Sequence, residues 1–157
     1  MSDSSLETYA PTTEVPAKVA SWLILLALAI GGFAIGTGEF VIMGLMPDMA
    51  ADLHVSEPQV GHVISTYAIG VMVGAPVLAI FGARLRRRNL LLLLMAFFAV
   101  GNVGSALAPG YHSLMVARFI AGLPHGAYFG VAALVAASLV APNKRAAAVS
   151  QVMLGLT

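Results

Sequence analysis

The sequence predicts an all-α integral membrane protein, and three observations carry that prediction. Of 157 residues, 59% are hydrophobic and only 10% are charged. The mean hydropathy of +0.91 lies outside the range of soluble domains. Apolar runs of about 20 residues, enough to cross roughly 30 Å of hydrocarbon as helix, recur along the chain. Lysine and arginine gather in alternate links between those runs. No period-two alternation is long enough for a barrel strand set.

Taken in order, residues 1–18 carry Asp3, Glu7 and Glu14 among Pro, Ser and Thr, and are expected to form a short disordered cytoplasmic tail. They lack the basic start of a signal peptide, and the run that follows is too long for one. Residues 19–157 hold the membrane part. Spans are expected at about 19–46, 60–81, 90–108 and 114–141, and a fifth, 146–157, is incomplete as the chain stops. Ser56-Glu57-Pro58-Gln59 has the form of a capping box ahead of the second span. Asn89, Ser113 and Asn143 each precede a run and are candidate N-caps. Pro76 and Pro124 each remove a backbone donor in mid-span, where a kink is expected.

Orientation follows from charge. The link after the second span carries Arg84, Arg86, Arg87 and Arg88; the link after the fourth carries Lys144 and Arg145; Lys18 flanks the first. The other two links, PDMAADLHVSEPQ and PGYHS, hold neither Lys nor Arg. The positive-inside rule therefore puts the amino terminus in the cytoplasm. An arginine cluster also suits nucleic acid. Held between two spans by short links, it reads as topogenic, and no nucleic-acid partner is expected.

Small residues predict how the spans meet. GxxxG spacing occurs at Gly32/Gly36, at Gly70/Gly74 and in tandem at Gly122/Gly126/Gly130. Such faces let helix backbones approach closely in lipid. Close packing explains each pair; smooth faces that let helices slide during transport are the sharper reading.

Two formal charges lie inside the spans, Glu39 and Arg118. Glu39 falls about seven residues before the outer end of the first span, roughly 10 Å deep, and Arg118 about five residues into the fourth, roughly 8 Å deep. A carboxylate at the bilayer centre costs about 2.5–3.5 kcal/mol on insertion scales, so a partner is expected. An ion pair, or two groups on one wet cavity, accounts for the shared depth. His125 is two turns after Arg118, on nearly the same face. Glu39, Arg118 and His125 together are the parts of a proton pathway. The static alternative has Glu39 satisfying Arg118 and His125 capping the backbone freed by Pro124. Asn102, Thr37, Ser65, Thr66 and Tyr67 are polar enough to line a pathway, and helical hydrogen bonding explains them equally well.

Enzymatic chemistry has little support. The chain has no cysteine, no HExxH and no nucleophile motif, so no metal or cofactor is expected. A non-catalytic assembly protein that binds a partner through its GxxxG faces is the better rival to a transporter.

Several stretches carry a family resemblance. LMVARFIAGLPHGAYFG (Leu114 to Gly130) resembles the fourth-helix motif of the major facilitator superfamily, an arginine followed by spaced glycines. Its GLPHGA version, with GTGEFVIMGLMPDMAADLHVS and YAIGVMVGAPVLA, resembles the arabinose efflux permeases and chloramphenicol efflux proteins of that family. The likeness runs from about Ile30 to Thr157. One loop departs from it: Arg86 stands where the family places the aspartate of its G-x-L-a-D-R-x-G-R-R loop, and Asn89 where the second glycine would be. That aspartate is credited with helping to hold one conformation against the other half.

The resemblance implies a twelve-helix fold in two six-helix halves, working by alternating access around a midplane cavity lined by the first and fourth helices. It implies proton-coupled efflux of a small molecule such as a sugar or drug, in an inner or plasma membrane. On this reading the chain is the amino-terminal part of such a fold, four spans and the start of a fifth. Its partners are the substrate, protons, the lipid bilayer and the remaining helices expected beyond Thr157.

Overall fold

Among the described residues, 17–156 with side chains from Ser21 onward, the computed structural model is helical throughout. Helix α1 is Ala17–Gly44, α2 is Met46–Asp52, α3 is Glu57–Gly82, α4 is Arg87–Ala106 and α5 is Tyr111–Ser138. A 3-10 turn at Pro142–Lys144 leads into α6, Arg145–Met153, and a second at Leu154–Leu156 follows it. Four stretches are long and apolar enough to cross a membrane: Ser21–Gly44, Glu57–Gly82, Arg87–Ala106 and Tyr111–Ser138. The expected tail lies outside the described residues, except that residues 17 and 18 already belong to α1.

Helices α3, α4 and α5 each start before the apolar run that predicts them. Glu57, Arg87 and Tyr111 open them, where the runs start at 60, 90 and 114. The reason is physical: a helix keeps its hydrogen bonds past the edge of the hydrocarbon, and its first turn is suited to polar residues. Gln59 holds the start of α3, its Oε1 accepting from the Ser56 backbone N–H at 2.8 Å and from Ser56 Oγ at 3.1 Å. The other candidate caps sit elsewhere. Asn89 is inside the first turn of α4, whose N-cap is Arg86. Ser113 is the third residue of α5 and reaches back, accepting from the Gly110 N–H at 3.1 Å. Asn143 lies in the first 3-10 turn.

The link between α1 and α3 holds an element that apolar counting missed. Helix α2 is short and polar, with Pro47 and Asp48 in its first turn, where a fixed φ and a negative charge both suit the helix start. The chain then turns at His54, which takes a left-handed φ of 54°.

Helix α5 is the hub. It packs against both α3 and α4, while α1 leans mainly on α6 and the closing turn. The core gathers Tyr67, Leu94, Phe98, Ala121, Tyr128, Ala132 and Val152. Outward faces keep Trp22, Phe33, Met72, Ile80, Phe81, Leu92 and Val100 exposed. Such faces suit hydrocarbon, so association rests on close van der Waals packing rather than on removal from water.

The glycines show that packing directly. A methyl group at Gly70 would meet the Phe119 carbonyl, one at Gly74 the Leu123 backbone, and one at Gly122 the Tyr67 carbonyl. At Gly126 it would lie 2.7 Å from Ala75 Cβ. These four form one seam between α3 and α5. Gly32 meets Phe129 and the Val152 carbonyl at 3.3 Å, and Gly36 meets the Leu156 carbonyl. Gly130 departs from the expectation: nothing lies within 4 Å of its added methyl. There a groove of about 500 Å³ opens, lined by Ala75, Ala79, Gly82, Gly126 and Gly130 among others. Helices α3 and α5 both run through their prolines, Pro76 exposed and Pro124 buried.

Candidate functional site

The residues singled out as a proton pathway arrive from two helices, and a third helix completes the group. Glu39 comes from α1, Arg118 and His125 from α5, and Tyr67 from α3. Arg118 is 2% exposed. Its Nη1 donates to the Gly38 carbonyl at 3.2 Å, and its guanidinium carbon sits 4.2 Å from the centre of the Tyr67 ring. Its Nε has no hydrogen-bond partner. Gly38 makes this reach possible, because α4 closes on the same spot. A methyl at Gly38 would lie 3.0 Å from Phe98 and 3.4 Å from Asn102 Oδ1.

The direct Glu39–Arg118 ion pair is not formed: no such pair within 4.0 Å occurs among the described residues. The cation instead lies over an aromatic face, an attraction of about 1–2 kcal/mol when shielded from water, and bonds the backbone next to Glu39. The shared depth of the two charges is nonetheless real, since Gly38 and Glu39 are neighbours.

His125 faces the carboxylate. Its Nδ1 lies 3.9 Å from Glu39 Oε2 and 2.9 Å from Tyr67 Oη. Its ring also meets Phe129, centroid to centroid at 5.3 Å. The static reading in which His125 caps the backbone freed by Pro124 gives way, because Nδ1 faces Tyr67 and Glu39. At 3.9 Å the carboxylate and imidazole are too far apart for a hydrogen bond, yet within ion-pair reach once the ring is protonated. Glu39 keeps 30% of its side chain exposed, so these helices do not seal the group completely.

The other polar candidates separate cleanly. Ser65 and Thr66 donate to the carbonyls of Gly61 and His62, at 3.1 and 2.7 Å, within their own helix. Asn102 does the same with Phe98, at 2.9 Å, and Thr37 is exposed. Tyr67 alone among them reaches across to another helix. Tyr128, not singled out from sequence, also does so, donating to the Leu28 carbonyl at 2.8 Å. A signal was present in both: a phenol hydroxyl is carried too far from its own backbone to be satisfied there, so a buried tyrosine must find a partner elsewhere.

The arginines of the α3–α4 turn, Arg84, Arg86, Arg87 and Arg88, are all exposed. Arg87 and Arg88 sit in the first turn of α4, where the helix dipole disfavours cations.

Comparison with known proteins gives this geometry its family. Residues 28–157 match the model of the Major Facilitator Superfamily. The inner membrane transport protein YdhP of Escherichia coli (strain K12) is 52% identical over 133 residues, 85% of this chain and 34% of that protein. The putative transporter AraJ of the same organism is 42% identical over 134 residues, 85% of this chain and 34% of that protein. A chloramphenicol resistance protein of Streptomyces lividans is 35% identical over 135 residues, 86% of this chain and 34% of that protein. The chain thus spans about a third of the length of these curated relatives. A family model that covers nearly all of the described helices and a fold with four membrane-length spans agree: this multi-pass membrane chain belongs to the major facilitator superfamily.

Proposed function

We propose that the chain forms the opening helices of a transporter that exports a small molecule, such as a sugar or a drug, in exchange for protons. The observation that carries this reading is the convergence of Glu39, His125, Arg118 and Tyr67, from three helices, inside the spans. Intramembrane acids of this kind mark ion and substrate pathways by default. The printed names of the relatives, transport proteins and a chloramphenicol resistance protein, support transport and a small-molecule cargo.

In the proposed cycle Glu39 holds either a proton or the substrate, so that each displaces the other. Arg118 anchors the backbone beside that carboxylate, its Nη1 donating to the Gly38 carbonyl. The remaining spans, expected past Thr157, close the cavity. Glu39→Gln in the complete transporter, reconstituted in proteoliposomes, should lose efflux driven by a pH gradient, because the amide can neither take up nor release the proton. Undiminished gradient-driven efflux in that variant overturns the reading.

The amino terminus faces the cytoplasm of a plasma or inner membrane, with Arg84, Arg86, Arg87 and Arg88 on that side. Two supports exist for this: the basic residues sit in alternate links, and the pair in α4 opposes its dipole. A cysteine at His54, in a chain that otherwise has none, should react with an impermeant maleimide in intact cells, and one at Arg86 should not. The opposite pattern inverts the topology.

A further inference from the structure

Tyr67 holds a position that the transport cycle above leaves unexplained. Its ring is almost fully buried at 2% exposure, beneath the Arg118 guanidinium, and its hydroxyl ends 2.9 Å from His125 Nδ1. The same nitrogen is the one that faces Glu39, at 3.9 Å. A phenol is a hydrogen-bond donor at neutral pH, and a neutral imidazole presents one bare nitrogen and one N–H. With Tyr67 donating, Nδ1 is the bare nitrogen and the ring proton sits on Nε2.

We infer that Tyr67 is a positioning residue that occupies the His125 nitrogen facing Glu39 and so holds the histidine and the carboxylate apart as proton partners in this conformation. The inference rests on the proton-coupled reading and adds a gate to it. A proton passes between His125 and Glu39 through Nδ1 only after the Tyr67 O–H turns away. Nδ1, once bare and free, takes up a proton from solution to give the imidazolium, and that proton then moves from Nδ1–H to a carboxylate oxygen of Glu39, leaving a neutral ring and a neutral acid.

The seam explains why the tyrosine, and not the glutamate, sets the resting arrangement. Tyr67 and His125 lie on α3 and α5, and the Tyr67 carbonyl rests against Gly122, with Gly70 on the backbone of Phe119. These backbones are locked to each other, so the hydroxyl and the imidazole stay in register. Glu39 arrives on α1, which leans mainly on the Leu154–Leu156 turn and on α6 rather than on α5. The charged and titratable groups near the ring are therefore Glu39 from α1, Tyr67 from α3 and Arg118 from α5 itself, with neutral Asn102 on α4 beyond Gly38.

The test is the tautomer of His125, read by nitrogen NMR on the histidine-labelled chain in lipid nanodiscs, with its signal identified by its loss in His125→Gln. The wild type at neutral pH should show the Nε2–H form. Tyr67→Phe keeps the ring under Arg118 but removes the donor, and should move the tautomer ratio about fivefold or more toward Nδ1–H, the effect of losing one ordinary hydrogen bond. An unchanged ratio in Tyr67→Phe overturns the inference. So does an Nδ1–H form in the wild type, which decides the matter even if the variant does not fold. Neither result depends on transport. Loss of the proton-coupled reading, by undiminished efflux in Glu39→Gln, would leave the tautomer measurement standing as a structural fact without its function.

Discussion

The two faces of α5 are built in different ways. Toward α3 it meets another backbone: Gly70, Gly74, Gly122 and Gly126 leave no room for even a methyl group. Toward α1 it is joined by long polar side chains, Tyr128 to the Leu28 carbonyl, Arg118 to the Gly38 carbonyl and His125 near Glu39. The first face is a fixed geometry, because backbones cannot yield. The second is a set of reaching groups that can exchange partners, and Glu39, Arg118 and His125 meet there, with Tyr67 reaching in from α3. A rigid seam thus holds one half of the group while movable side chains complete it, the arrangement on which the proposed proton exchange rests.

That contrast orders the substitutions that would break or sharpen it. The largest effect is expected at Gly74→Val, where the new side chain must displace the Leu123 backbone. Overpacking of this kind costs about 3 kcal/mol. Unfolding by SDS titration in bicelles should show it, and a variant as stable as the wild type would mean that the seam yields. A smaller loss is expected at Tyr128→Phe, which removes one interhelical hydrogen bond and leaves the ring in place. About 1 kcal/mol is the ordinary value, in membranes as in water. A loss as large as that at Gly74 would mean that the α1 face is as rigid as the α3 face. Least of all should come from Gly130→Ala, which adds a methyl group to open space in the groove. Here stability should change by no more than about 1 kcal/mol, in the stabilising direction, through helix propensity. Destabilisation would show that something covers the groove in the membrane.

The glycine stripe shows how far sequence reading goes. GxxxG spacing located the α3–α5 seam at four of its positions, because spacing fixes which residues share a helix face. It overreached at Gly130, because spacing does not tell where two helices stop touching. The polar residues teach the same lesson. Ser65, Thr66 and Tyr67 are consecutive and looked equivalent as candidates, yet two bond their own helix and one crosses to His125. Side-chain length was the legible difference. The short hydroxyls reach the carbonyl one turn back, whereas the phenol cannot. Helix α2 escaped notice because a short polar helix at the membrane edge has no apolar run to announce it.

What the sequence determined by itself is the set of properties that depend on local order along the chain. Run length gave the membrane spans, loop charge gave an expected orientation, and the placement of Glu39 and Arg118 gave their common depth, since rise per residue is fixed in a helix. What only the tertiary structure decided is which groups meet. Arg118 lies over Tyr67 and bonds the Gly38 carbonyl instead of pairing with Glu39, and His125 stands between the tyrosine and the acid. Such choices follow from the rotation of each helix about its axis and the approach of its neighbours. Those quantities are settled by packing among all the helices together, and no single segment of sequence contains them.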